Sequence, residues 1–138
     1  MHPNPAFRSE DEAANLKFAA ERGFGMLTAG GAEGPLAAHV PFLLETGHAD
    51  LHLARSNALG RAVMAAGRLP AIIAVSGPDC YISPDWYGTP DQVPTWNYVA
   101  VHLRGVLEPL PETALQRIVD AVSAHHEARL LPKTPWVS

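Results

Sequence analysis

The stretch Thr95–Leu107, T-W-N-Y-V-A-V-H-L-R-G-V-L, decides the fold. It is rich in aromatic and β-branched residues, shows no helical spacing, and is bounded by Pro94 before it and by Pro109 and Pro111 after it. Such a run reads as a long β-strand. Side chains alternate across a strand, so Trp96, Tyr98, Ala100 and His102 share one face. Thr95, Asn97, Val99, Val101 and Leu103 share the other. A half-exposed strand of this length needs antiparallel neighbours.

Those neighbours lie upstream. Pro70–Ser76 (P-A-I-I-A-V-S) is an almost continuous apolar run and reads as a strand buried on both faces. Gly77-Pro78-Asp79 reads as a turn after it, followed by a loop from Tyr81 to Pro94 with a short strand at its start. Phe24–Ala29 reads as a strand, the cluster Gly30–Gly34 as a turn, and Leu36–Phe42 as a second strand. In that second strand Leu36, Ala38, Val40 and Phe42 alternate with Ala37, His39 and Pro41, which puts His39 on the face away from the leucine. Ala49–Ala54 is a third strand, with Leu51 and Leu53 on one side and His52 on the other.

Three helices flank these strands. Ser9 and Glu12 form a capping-box pattern ahead of a helix over Glu10–Arg22 that Gly23 stops. Ser56 or Asn57 caps a second helix that ends at Gly67. A third runs over Glu112–Leu130, with Leu115, Ile118, Val119 and Val122 as its buried stripe and His125 and His126 at its end, facing solvent or the helix dipole. Five or six strands with irregularly placed helices predict a mainly β (α+β) fold, an antiparallel barrel with helices packed outside.

The chain has 138 residues, which predicts one domain over 1–138. Charged residues are 17% against 47% hydrophobic. That is too little charge to coat a fully exposed monomer, so surface hidden in a homodimer is expected. Ten basic and fourteen acidic residues give a net charge of −4, which argues against a self-sufficient basic DNA-binding face. Cys80 is the single cysteine, so no intrachain disulfide is possible and a cytoplasmic location is expected. Cys80 itself reads as a small buried hydrophobe. No uncharged run approaches the ~18 apolar residues of a membrane span, and no signal-peptide layout opens the chain.

Two places carry chemistry. At the strand-to-helix corner His52–Asn57, Arg55 stands beside a helix N-terminus, with Ser56 and Asn57 adding donors; this suits a phosphate, or else an ordinary capped helix with a solvated arginine. The second is aromatic. Tyr81, Trp86, Tyr87, Trp96 and Tyr98 crowd one stretch. Flat rings with polar tips suit a planar heteroaromatic ligand or the centre of an interface. His39, His52 and His102 sit on strands without metal-ligand spacing, so no metal is assigned. No nucleophile elbow, phosphate loop or dinucleotide fingerprint occurs, and no catalytic residue is assigned.

The segments HLARSN (52–57), GPDCYISPDWY (77–87) and VPTWNYVAVHLRG (93–105), with PLAAHVPFLL (35–44) and the final PW (135–136), resemble the PaiB-type family of FMN-binding negative transcriptional regulators. The resemblance runs over essentially the whole chain. It implies the FMN-binding split barrel, a six-stranded antiparallel barrel working as a homodimer with FMN at the dimer interface. It also implies that Arg55, Ser56 and Asn57 hold the FMN phosphate, that His39 flanks the isoalloxazine, and that Thr95, Trp96 and Asn97 line the other side, partly from the partner subunit. Ala58 stands where the family usually has proline, and family members continue beyond this length, so the chain is expected to lack their C-terminal segment. A flavin-dependent oxidoreductase or haem-handling enzyme on the same fold is the alternative.

Overall fold

A computed structural model describes residues 4–130 and 132–136. The first helix, α1, spans Glu12–Arg22. Its cap is Asp11, whose carboxylate accepts from the Ala14 N–H at 3.0 Å; Ser9 instead accepts from the Asp11 N–H. The expected Ser9 capping box therefore gives way to an Asp cap two residues further in, which suits the positive end of the helix better. Gly23 ends α1 at φ 57°, a left-handed conformation that favours glycine.

Strands β1 (Phe24–Gly31) and β2 (Gly34–Glu45) form a tight hairpin, and β3 (His48–Leu51) returns along β2. Helix α2 (Ala58–Ala66) leads into β4 (Leu69–Ile82), which pairs with β1 on one side and with β5 (Thr95–Leu107) on the other. All pairings are antiparallel and the order is β3-β2-β1-β4-β5. The described residues thus form one open five-stranded sheet, mainly β with flanking helices. The expected sixth strand is not among them.

The inner face of the sheet carries the core. Phe42, Leu27, Val40 and Val75 are fully buried there, together with Leu59 of α2 and Ala19 of α1. Burying each large apolar side chain stabilises the fold by about 1.5–3 kcal/mol. Gly77 lies on this side against α1, where a β-carbon would stand 2.8 Å from the Phe18 ring. Between the free edges β3 and β5 the inner face opens into a groove of about 1450 Å³, lined in part by Phe18, Leu44, Leu51, Val99, Val101 and Leu103.

Helix α3 (Leu115–Glu127) packs behind β2 and β3, burying Ile118 and Val122. Leu115 of the expected stripe is exposed. Arg117 of α3 donates to the buried carboxylate of Asp50 on β3 at 3.1 Å. At the far end of α3, Arg129 bonds the carbonyls of Ala20 and Glu21, the last turn of α1. His126 lies beside Gly23 with its Nε2 buried and unbonded among the described residues, rather than facing solvent.

Three expectations fail in β4. Gly77-Pro78-Asp79 is no turn: the strand continues through it with a bulge between Ser76 and Asp79. Nor is Pro70–Ser76 covered on both faces. Ile73 and Val75 are buried inward, but Ile72 and Ala74 on the outer face are only half-buried. Cys80, expected to be buried, is exposed. It lies on the part of β4 that has left the core.

Candidate functional site

The strand-to-helix corner is built by short-range chemistry. Asn57 is the N-cap of α2; its side-chain oxygen accepts from the Leu59 N–H at 2.9 Å, and its own N–H donates to the Ala54 carbonyl at 2.9 Å. Gly60 lets the helix approach that carbonyl, since a β-carbon there would stand 3.1 Å from it. Ser56 is exposed, and its carbonyl accepts from the Arg61 guanidinium. No acidic residue lies in the first turn of α2. Arg55 projects outward and pairs with Glu112 at 2.7 Å. The corner is therefore a helix start with two arginines beside it, a place suited to an oxyanion.

The outer face of the sheet is the second part. The register aligns His39, Met26, Ala74 and His102 in one row across β2, β1, β4 and β5. Next to that row Phe24 stacks on His39, with ring centroids 6.3 Å apart and planes 21° apart. Phe24, Met26, Ala37 and His39 are all exposed. Small residues beside two rings leave a shallow, flat surface. His39 and His102 stand three strand spacings apart, about 14 Å, too far to share a metal ion.

The third part is an arm. Past the Ser76/Asp79 bulge, β4 and β5 run on as a two-stranded ribbon that pairs Asp79 with Tyr98, Cys80 with Asn97, Tyr81 with Trp96 and Ile82 with Thr95. Trp96 packs against Tyr81 at 6.1 Å, and its indole N–H donates to Asp79 at 2.9 Å. The ribbon continues into a short 3₁₀ turn, Pro84–Tyr87, capped by Ser83. Trp86, Tyr87, Trp96 and Tyr98 are all more than half exposed. The aromatic concentration is thus not core.

The structure brings only some of the expected residues together. Arg55, Ser56 and Asn57 share the corner, and His39 shares the outer face with Trp96. Thr95 and Asn97 point to the opposite side of the arm from Trp96, because the pairing is regular through all three. The corner lies with Glu112, beyond the end of β5, whereas Thr95 opens β5 some 40 Å away along the strand at ~3.3 Å per residue. Within one chain the corner and the arm do not meet. Phe24, Met26, Asp79 and Glu112 join the site although the sequence reading gave them no role. The sequence reading placed Phe24 and Met26 on a strand without assigning them a face; the contacts of Asp79 and Glu112 depend on residues 17 and 57 positions away.

In its parts the donor set fits a flavin nucleotide: a cationic helix start for phosphate, and a flat surface with stacked rings and few polar groups for the ring system. The comparisons with known proteins agree. The family described as "Putative FMN-binding domain" matches residues 1–138. The Bacillus subtilis (strain 168) protein named "Protease synthase and sporulation protein PAI 2" is 33% identical over 102 residues, covering 71% of this chain and 48% of the relative. The matched part thus spans about half the length of that curated relative. The chain belongs to the FMN-binding domain family, and FMN is the cofactor that this membership assigns to it.

Proposed function

We propose that this chain is an FMN-binding, PaiB-like regulator that works as a homodimer, with the flavin held between subunits. The observation that carries the reading is the separation within one chain of a cationic corner and an exposed aromatic arm, with an uncovered flat sheet face between them. A second copy laid on that face supplies from its arm what the first copy lacks. In this reading Arg55, Ser56 and Asn57 hold the phosphate and His39 flanks the isoalloxazine. The partner's arm closes the other side. Because β5 is an edge strand, a ligand along that edge meets Trp96 on one side and Thr95 and Asn97 on the other.

FMN supplies redox-active or light-absorbing ring chemistry when bound; the residues named here bind, orient and shield it. The single domain closes as a split barrel when one further strand spans the groove between β3 and β5. The regulatory role follows the resemblance to the PaiB-type family, and the net charge of −4 favours action through a ligand or partner over an extended basic face. We place the protein in the cytoplasm, in line with its single cysteine. No helix among the described residues is long and apolar enough to cross a membrane.

The test is an FMN titration followed by flavin and tryptophan fluorescence, with the mass read by light scattering. The reading expects one FMN per chain, quenched tryptophan emission, and twice the 14.8 kDa chain mass. A monomer that binds FMN with undisturbed tryptophan emission contradicts it.

A further inference from the structure

We propose that Glu112 is an internal competitor for the phosphate site: its carboxylate holds Arg55 until a doubly charged phosphate displaces it. This deepens the reading above and rests on Arg55 being the phosphate ligand. Arg55 Nη2 lies 2.7 Å from Glu112 Oε1, an ion pair. A guanidinium drawn toward the carboxylate is drawn away from a phosphate at the helix start, so the two anions compete for it.

Glu112 is held in place to do this. It opens a 3₁₀ turn, Glu112–Ala114, directly after Pro109 and Pro111, and the turn is closed by the Ala114 N–H donating to the Pro111 carbonyl at 2.8 Å. The turn runs straight into α3, which Arg117 anchors to the buried Asp50. The carboxylate is therefore presented from a fixed backbone rather than from a loose loop. Both side chains of the pair are exposed, at 84% and 77%, so the pair is weak and a dianion displaces it readily. A ligand without phosphate has no means of displacing it, and a singly charged one competes only evenly. Glu112 thereby lowers the affinity for phosphate-bearing ligands and leaves that for ligands without phosphate unchanged.

The experiment compares FMN and riboflavin binding to the full chain, to Glu112→Gln, to Arg55→Gln and to the double variant, at low and high salt. Glu112→Gln should tighten FMN roughly two- to five-fold at low salt, the reach of an exposed ion pair. Riboflavin should not respond. The gain should fade at high salt, as screening predicts, and vanish when Arg55 is already Gln. If Arg55→Gln weakens FMN but Glu112→Gln leaves it unchanged or weaker, Glu112 is no competitor and the phosphate reading stands. An equal gain for riboflavin likewise overturns the inference. If Arg55→Gln leaves FMN binding unchanged, or the unsubstituted chain binds no FMN, the underlying reading fails and the inference with it.

Discussion

The indole of Trp96 donates to Asp79 at 2.9 Å across the two strands of the arm, just beyond the bulge that carries β4 away from the core. That bond fixes a large aromatic side chain in the open, 58% exposed, where the folded chain itself gives it little to pack on. Trp96→Leu should consequently change stability by less than about 1 kcal/mol, as surface substitutions do. FMN affinity and FMN-dependent quenching should both fall. Phe42→Ala provides the contrast: Phe42 is fully buried, and the loss should be about 3–5 kcal/mol. Thermal melts set beside FMN titrations separate the two behaviours.

Arg55 gives the second prediction. If Arg55 holds the FMN phosphate as proposed, replacing it by alanine removes a charge-assisted hydrogen bond and should weaken FMN by about 1.5–3 kcal/mol. Riboflavin affinity should barely move. Equal losses for both ligands would show that Arg55 acts through the fold of the corner instead.

The third prediction concerns acid. Burial, and after it the neighbouring His125 and Arg129, hold the His126 imidazole below its ordinary value of 6.5. In the unfolded chain that group takes up a proton more readily, so the unfolded state binds more protons once the pH drops below 6.5. Its contribution to stability is present above that value and is lost as the pH falls through the folded value. Denaturant titrations between about pH 8 and about pH 5 should show this loss. The acid-side slope should be shallower in His126→Leu.

Gly23→Ala tests the same contact from the other side. The residue takes φ 57°, and a β-carbon would stand 2.8 Å from the His126 ring. The left-handed conformation and the clash together should cost about 1–3 kcal/mol. Equilibrium unfolding measures it; an unchanged midpoint would mean that α3 shifts freely away from α1.

Much of this architecture was legible in local pattern. The alternation of Leu36, Ala38, Val40 and Phe42 against Ala37 and His39 reads directly as a half-buried strand, and β2 has those faces. The two faces of Thr95–Leu107 were equally visible, and so was a cap for α2, left open between Ser56 and Asn57. Pro78 misled because proline punctuates chains. Here β4 pairs with β1 only as far as Ala74, so beyond that point one edge is free and the bulge absorbs the missing donor. Cys80 follows from the same extension, since an apolar thiol type gives no sign that its strand has left the core. His126 and Glu112 were opaque for another reason. Their partners, Gly23 and Arg55, are distant in sequence and are brought near only by the packing of α3 and the turn before it.

The central claim is that one flavin site draws on two chains, and a mixed dimer tests it most directly. Arg55→Gln and Trp96→Leu chains, each weak in FMN binding alone, are combined and the heterodimer is purified through two different tags. If each site takes Arg55 from one subunit and Trp96 from the other, the heterodimer holds one doubly impaired site and one intact site. Titration should then recover a single tight FMN site per heterodimer. If both residues serve the same site from the same chain, every site in the heterodimer carries one defect. No tight site would appear, and the account would be wrong.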